Sequence, residues 1–156
     1  MNLATMFQNF SQLPWLGRRM FSQLVSAQAP YFASISPLFE VLEPGRVEVS
    51  MKNRRAVRNH LGSVHAIAMC NLCEAAGGIL MEASLPKTLR WIPRGMTVRY
   101  LKKATTDLTA RCRMDIPAAD FAGDVTLPVQ VFDAQEQVVM EADITMYVSL
   151  RKTGSP

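Results

Sequence analysis

Asn59, His65 and Glu74 are the residues whose types and spacing can do chemistry in this chain. They put an amide, an imidazole and a carboxylate at intervals of six and nine residues. The segment that carries them runs Asn59-His60-Leu61-Gly62-Ser63-Val64-His65-Ala66 and then Cys70-Asn71-Leu72-Cys73-Glu74-Ala75-Ala76-Gly77-Gly78, the one polar interruption in otherwise apolar patterning. A carboxylate serves as general base or nucleophile, and an imidazole moves protons or holds a loop. A helix beginning here adds a further donor. The N–H groups of its first turn have no intrahelical acceptor and lie at the positive end of the helix dipole, where an oxyanion is stabilised.

These groups need a scaffold, and hydropathy supplies it. Leu3, Met6, Phe7 and Phe10, then Leu16, Met20, Phe21, Leu24 and Val25 beyond Pro14, recur at helical spacing and predict two short amphipathic helices. After Pro37 the period drops to two, with Leu38 to Leu42, the turn Pro44-Gly45 and the alternating Val47, Val49 and Met51 reading as a hairpin. Ser63 is the expected N-cap of a long helix ending near Ser84 before Pro86. Four alternating strands follow, around Met96 to Tyr100, Leu108 to Ile116, Val125 to Val131 and Met140 to Leu150; Pro128 points to an edge position or a bulge. The fold class is α+β, a curved antiparallel sheet wrapped around one central helix, with a helical extension over 1–35 and the main domain over 36–151. On the helical wheel Met69, Leu72, Cys73, Ala76, Ile79 and Leu80 form the core face. Asn71, Glu74, Gly78 and Glu82 share a narrow stripe opposite, so Glu74 is expected to point away from this chain's own sheet.

Composition narrows the function. The 156 residues suit one domain, and 49% hydrophobic against 19% charged residues fits a globular subunit that buries further surface in an oligomer. The net charge of +4 comes from 17 basic residues scattered along the chain in short clusters, too dispersed for a nucleic-acid stripe. Cys70, Cys73 and Cys112 are an odd number with two in an apolar helix; they read as buried small residues rather than disulfide, redox or metal ligands, in a reducing cytoplasm. Arg18-Arg19 interrupt the N-terminal apolar stretch, which makes a poor secretion signal, and no run approaches the length that spans a bilayer. A soluble, cytoplasmic protein is expected.

Asn59, then His65-Ala66 six residues on, then Glu74 nine residues further, between a hairpin and four strands, resembles the hotdog-fold thioesterases of the phenylacetic-acid-degradation and 4-hydroxybenzoyl-CoA types, over roughly residues 36 to 150. The resemblance implies an acyl-CoA thioesterase that needs no cofactor, with its sites between two subunits whose central helices run side by side, in a homodimer or a dimer of dimers. It implies that the Ala66 N–H polarises the thioester carbonyl, that Glu74 is general base or nucleophile, that Asn59 orients water or substrate, and that His65 fixes the loop. His60 is a neighbour without a role. Arg54, Arg55, Arg58, Arg99, Lys102 and Lys103 become candidates for the coenzyme A phosphates, and Met69, Met81 and Met96 for the acyl tunnel. This chain departs from the pattern at Ala66, where glycine is usual but the N–H is kept, and at Gly78, where many relatives carry Ser or Thr. The competing expectation is a non-catalytic acyl-CoA or lipid-binding protein, although residues 1–35 are too short for the DNA-binding module that hotdog sensors carry. Hotdog dehydratases arrange their His and acid differently.

Overall fold

Alternating apolar residues become strands whose inner faces must be covered, and the main cover here is one central helix. In the computed structural model, which describes residues 2–13 and 16–151, helices α1 (Leu3–Ser11) and α2 (Leu16–Gln28) precede a 3₁₀ turn at Pro30–Ile35 and the hairpin β1 (Leu38–Glu43) and β2 (Arg46–Met51). A second 3₁₀ turn (Arg55–Val57) leads to α3 (Ala66–Ser84), then to β3 (Leu89–Tyr100), β4 (Leu108–Arg113), β5 (Gly123–Phe132) and β6 (Val138–Leu150). Pro14, the expected break between the first two helices, lies outside the described residues.

All strand pairings are antiparallel, and the order across the single sheet is β1-β2-β4-β5-β6-β3. Although β3 follows α3 directly, among the described residues it pairs only with β6 and forms the edge opposite the hairpin. The sheet curls around α3 so that Leu72, Cys73, Ala76, Leu80 and Met81 are completely buried against Val47, Val49, Leu108, Leu127, Val131 and Ile144. At Gly77 the sheet comes close: an added Cβ would stand 3.1 Å from Ile144 Cδ1 and 3.3 Å from Leu127 Cδ1. A glycine in a helix interior costs about 0.5–1 kcal/mol relative to alanine; here the dispersion contacts of the approaching sheet offset it.

The two N-terminal helices belong to the same core. Phe7, Phe21 and Phe39 make consecutive edge-to-face contacts, with ring centroids 5.1 and 5.6 Å apart, and so carry the packing from α1 through α2 to β1. The buried Ser22 hydroxyl donates to the Arg18 carbonyl at 2.7 Å and accepts from the Phe39 N–H at 3.0 Å, tying α2 to the hairpin.

The structure corrects several local expectations. Helix α3 starts at Ala66 with His65 as N-cap, not at Ser63. Strand β3 begins at Leu89, well before Met96, and contains Pro93 and a register shift between Pro93 and Gly95. An edge strand tolerates both, because one side of its ladder is unpaired. Strand β4 stops at Arg113, short of Ile116. Pro128 lies on an interior strand, yet one step past Cys112↔Val129, the last pair with β4, so its missing N–H leaves no ladder bond unmade there. Finally, the 19 residues of α3 are long and apolar enough by length and composition to cross a bilayer, contrary to the expectation that no run is; 61% of its most apolar 18-residue stretch is buried inside the protein, as suits a core helix.

Phe21→Ala is expected to destabilise the whole protein by about 3–5 kcal/mol in urea denaturation, with one transition. Loss of the helices alone in a separate early transition would contradict their place in the common core.

Candidate functional site

The approach to α3 is a loop organised by Asn59. Its Oδ1 accepts from the N–H of Leu61 (3.0 Å) and from the N–H and hydroxyl of Ser63 (both 3.2 Å), while its Nδ2 donates to Ser63 Oγ at 3.0 Å. Backbone bonds from Asn59 N–H to Ser63 O and from Gly62 N–H to Asn59 O close the turn, with Gly62 at φ 77°. Ser63 is thereby used up, and Val64, bridged to Arg58 and donating to Ala104 O at 2.9 Å, continues the extended chain for one more step. The helix starts only after it. His65 donates its N–H to Val57 O at 2.8 Å and turns its ring back, so that Nδ1 accepts from Ile67 N–H at 3.1 Å.

That cap has two chemical consequences. An accepting Nδ1 places the ring proton on Nε2, pointing outward, so the imidazole acts as a positioning group for the helix start. With Ile67 N–H taken by the ring and Met69 N–H bonded to His65 O at 3.2 Å, the Ala66 N–H carries no hydrogen bond among the described residues. It is an orphan donor at the positive end of a 19-residue helix.

Along the helix, the expected outward stripe is partly covered. Asn71 is 5% exposed, because the Pro30–Ile35 turn closes over it; its Nδ2 donates to Ser34 Oγ (3.1 Å) and Tyr31 O (3.3 Å). Gly78 is buried beneath the Trp91 indole. Ile67 and Glu74 remain exposed, with Cys70 half-buried between them. Glu74 has no hydrogen-bond or ion-pair partner among the described residues, whereas Glu82 accepts from Trp91 Nε1 at 3.3 Å. Strand β3 runs beside this stripe. Tyr100 Oη meets Cys70 Sγ at 3.4 Å one turn before Glu74, and Trp91 meets Gly78 one turn after it. The Cys70 contact, more than its partial burial, pushes the Tyr100 phenol up to about 12. Tyr100 and Trp91 were not among the expected site residues. The signal for them was a pair of large aromatics on one strand, separated by the register shift between Pro93 and Gly95, which becomes informative once that strand is placed at the sheet edge.

The six candidate phosphate-binding cations divide into two groups. Arg99 ends a cross-strand rung, Glu48–Arg111–Gln130–Glu141–Arg99, on the outer face of the sheet, where it pairs with Glu141 (3.1 Å) and Asp143 (3.4 Å). Lys102 pairs with the buried Asp133 at 3.0 Å and also bonds Gln137. Arg54, Arg55, Arg58 and Lys103 have no carboxylate partner among the described residues. Arg54 instead holds Ser34 O (2.7 Å) and Ser36 Oγ (3.0 Å), and Arg58 holds Asn53. These arginines flank Val57, whose carbonyl receives the His65 N–H, so uncompensated positive charge gathers at the N-terminal end of α3. Among the acyl-tunnel candidates, Met69 and Met81 belong to the sealed core and Met96 is half-buried on β3.

Comparison with known proteins agrees with this architecture. The family described as "Domain of unknown function (DUF4442)" matches residues 17–148. A structural-genomics crystal structure, APC5556, is 44% identical over 96% of this chain and 99% of that one, with a TM-score of 0.83. A protein of unknown function from Pseudomonas aeruginosa, described as a probable thioesterase, is 26% identical over 83% of this chain and 93% of that one (TM-score 0.75). A thioesterase from Haemophilus influenzae shares the fold at TM-score 0.72 with 14% identity, over 86% and 92% of the two chains. No curated protein matches the sequence. The α+β architecture is the hotdog fold of thioesterase-family proteins.

Burial raises the thiol of Cys73 and pushes that of Cys112 up to about 12. Both are therefore expected to resist iodoacetamide at neutral pH until urea unfolds the chain, as followed by mass spectrometry; modification of Cys73 in the native protein would contradict the wrapping of α3.

Proposed function

The chain belongs to the DUF4442 family, and from that hotdog scaffold we propose an acyl-CoA thioesterase whose catalytic carboxylate is Glu74 and whose oxyanion donor is the Ala66 N–H. The observation that carries the reading is the unpartnered Glu74, exposed on a mostly buried helix between the Tyr100 and Trp91 contacts of β3. Within one chain the two groups cannot meet: eight residues at ~1.5 Å rise separate them by ~12 Å along the axis. Two copies of α3 packed antiparallel about a twofold axis near Cys70 bring Ala66 of each to Glu74 of the other. The apolar surface that such a dimer would cover is present, because the free edge of β3 exposes Ile92 (58%) and Tyr100 (50%) beside Ile67 (55%).

Hydrolysis then proceeds with side-chain and backbone groups alone. The thioester carbonyl oxygen accepts from the Ala66 N–H. Glu74 removes a proton from water as the water oxygen bonds to the carbonyl carbon, and the negative charge that develops on the carbonyl oxygen is held at the positive end of the helix. Collapse of the tetrahedral intermediate breaks the C–S bond, and protonated Glu74 returns its proton to the departing thiolate. His65 keeps the donor in place through its cap, and Asn59 shapes the loop beneath it. Arg54, Arg55, Arg58 and Lys103 offer charge to the coenzyme A phosphates near the helix start. Gly78 supplies no hydroxyl one turn beyond the acid, which favours, as a second reading, binding of acyl-CoA without turnover.

Glu74→Ala is expected to lower kcat/KM towards acyl-CoAs by about a hundred- to ten-thousandfold. Ala66→Pro is expected to cost about a hundred- to a thousandfold while the protein stays folded. Proline suits the first position of a helix, and His65, at φ −66° and ψ 138°, already has the extended backbone that a residue before proline needs. Thiol release from a panel of aliphatic and aromatic acyl-CoAs measures both. Binding without thiol release would support the second reading, and neither binding nor release would remove both.

A further inference from the structure

A cavity of about 400 Å³ lies between the N-terminal helices and the C-terminal end of α3. Its apolar walls include Leu3 and Met6 of α1, Leu24 of α2, Ile79 of α3, Leu85 just beyond it and Trp91 of β3. The size and character are those of a small-molecule pocket. We infer that this cavity is the chamber for an unbranched aliphatic acyl tail, a deeper reading of the proposed thioesterase site on which it rests.

The first support is position. Glu74, Gly78 and Glu82 follow at one-turn intervals, so the cavity lies ~12 Å along the helix from Glu74, and a chain attached to a carbonyl at Glu74 reaches it by passing over the Trp91 ring that covers Gly78. Trp91 stands at the boundary. Its indole rests on Gly78, where an added Cβ would lie 3.3 Å from Cη2, and its N–H is engaged by Glu82, itself a lining residue. Gly78, which lacks the hydroxyl common in similar proteins, thus leaves room for the edge of the Trp91 ring, at Cη2 and Cζ2, to close on the helix as part of the apolar wall. A larger side chain there would push the ring outward.

The second support is how the lining is divided. Its polar members, Asn2, Gln28, Glu82, Lys87 and Arg151, are all exposed at the mouth. The apolar members other than Leu24 are half-buried or buried. The half-buried wall is aliphatic and aromatic, and the Glu82 carboxylate beside it already accepts from Trp91 Nε1, so a hydroxylated or amino-bearing tail would lose hydration with little compensation. An alkyl chain loses nothing. The N-terminal helices accordingly set chain length, since α1 and α2 form the walls facing α3.

The test is a chain-length profile from butanoyl-CoA to tetradecanoyl-CoA for the wild type and for Leu24→Trp, which fills the chamber from a 44% exposed position. In the wild type kcat/KM is expected to rise with length, and in the variant the dodecanoyl-to-butanoyl ratio is expected to fall about tenfold or more. An unchanged ratio, or a flat wild-type profile, overturns the inference even if the protein is a thioesterase. If no acyl-CoA is turned over, the hydrolase reading fails and calorimetry decides the chamber separately. Tighter binding of dodecanoyl-CoA than butanoyl-CoA, lost in Leu24→Trp, upholds it; equal affinities, or a preference that survives the substitution, overturn it.

Discussion

The structure depends on keeping one nearly all-apolar helix dry. Nineteen residues with a core face as wide as that of α3 cannot sit on a flat sheet with half their surface in water. Six strands curl around it, the hairpin closes one side, and the N-terminal helices, through Phe7, Phe21 and Phe39, seal the adjoining gap. Among the described residues, what is left uncovered is the strip through Ile67, Cys70 and Glu74, beside a strand whose outer edge has no partner among them. The proposed chemistry and the proposed association thereby fall on the same surface.

At that surface the capping arrangement and the candidate chemistry are one device. A Ser or Asp cap would more commonly serve a helix start. His65 does so through Nδ1, takes Ile67 N–H out of play and leaves Ala66 N–H unbonded, on a loop held rigid by every polar contact of Asn59. The donor and the carboxylate then stand two turns apart on one helix. That separation is too long for one thioester carbonyl, yet suits two antiparallel helices.

Most of the scaffold was legible because period-two and helical patterns are strong where strands and helices have one wet face. The helices in 1–35, the hairpin, the central helix and four later strands all follow from it. The failures have local causes. Ser63 satisfies the usual cap rule but is consumed by Asn59, a competition visible only when the loop is folded. The strand around Met96 extends back through Pro93 and Gly95, residue types that usually interrupt strands, and their tolerance depends on β3 being an edge. The helical wheel placed Asn71 and Gly78 on the open stripe; the Pro30–Ile35 turn and Trp91, 37 to 40 and 13 residues away respectively, cover them. For the candidate site, the Asn59–His65–Glu74 spacing pointed to the loop and the first turns of α3, which the fold sets beside β3. Which cations are free depended on carboxylates such as Glu141 and Asp133 on distant strands.

The central claim is that a working site takes its donor from one subunit and its carboxylate from the other. Differently tagged Glu74→Ala and Ala66→Pro chains, each inactive alone, can be unfolded together, refolded and purified as the mixed species. Such a heterodimer contains one site with both groups intact and one with neither, and its thioesterase activity should recover to about half that of the wild-type dimer. A mixed dimer as inactive as either parent would contradict the account.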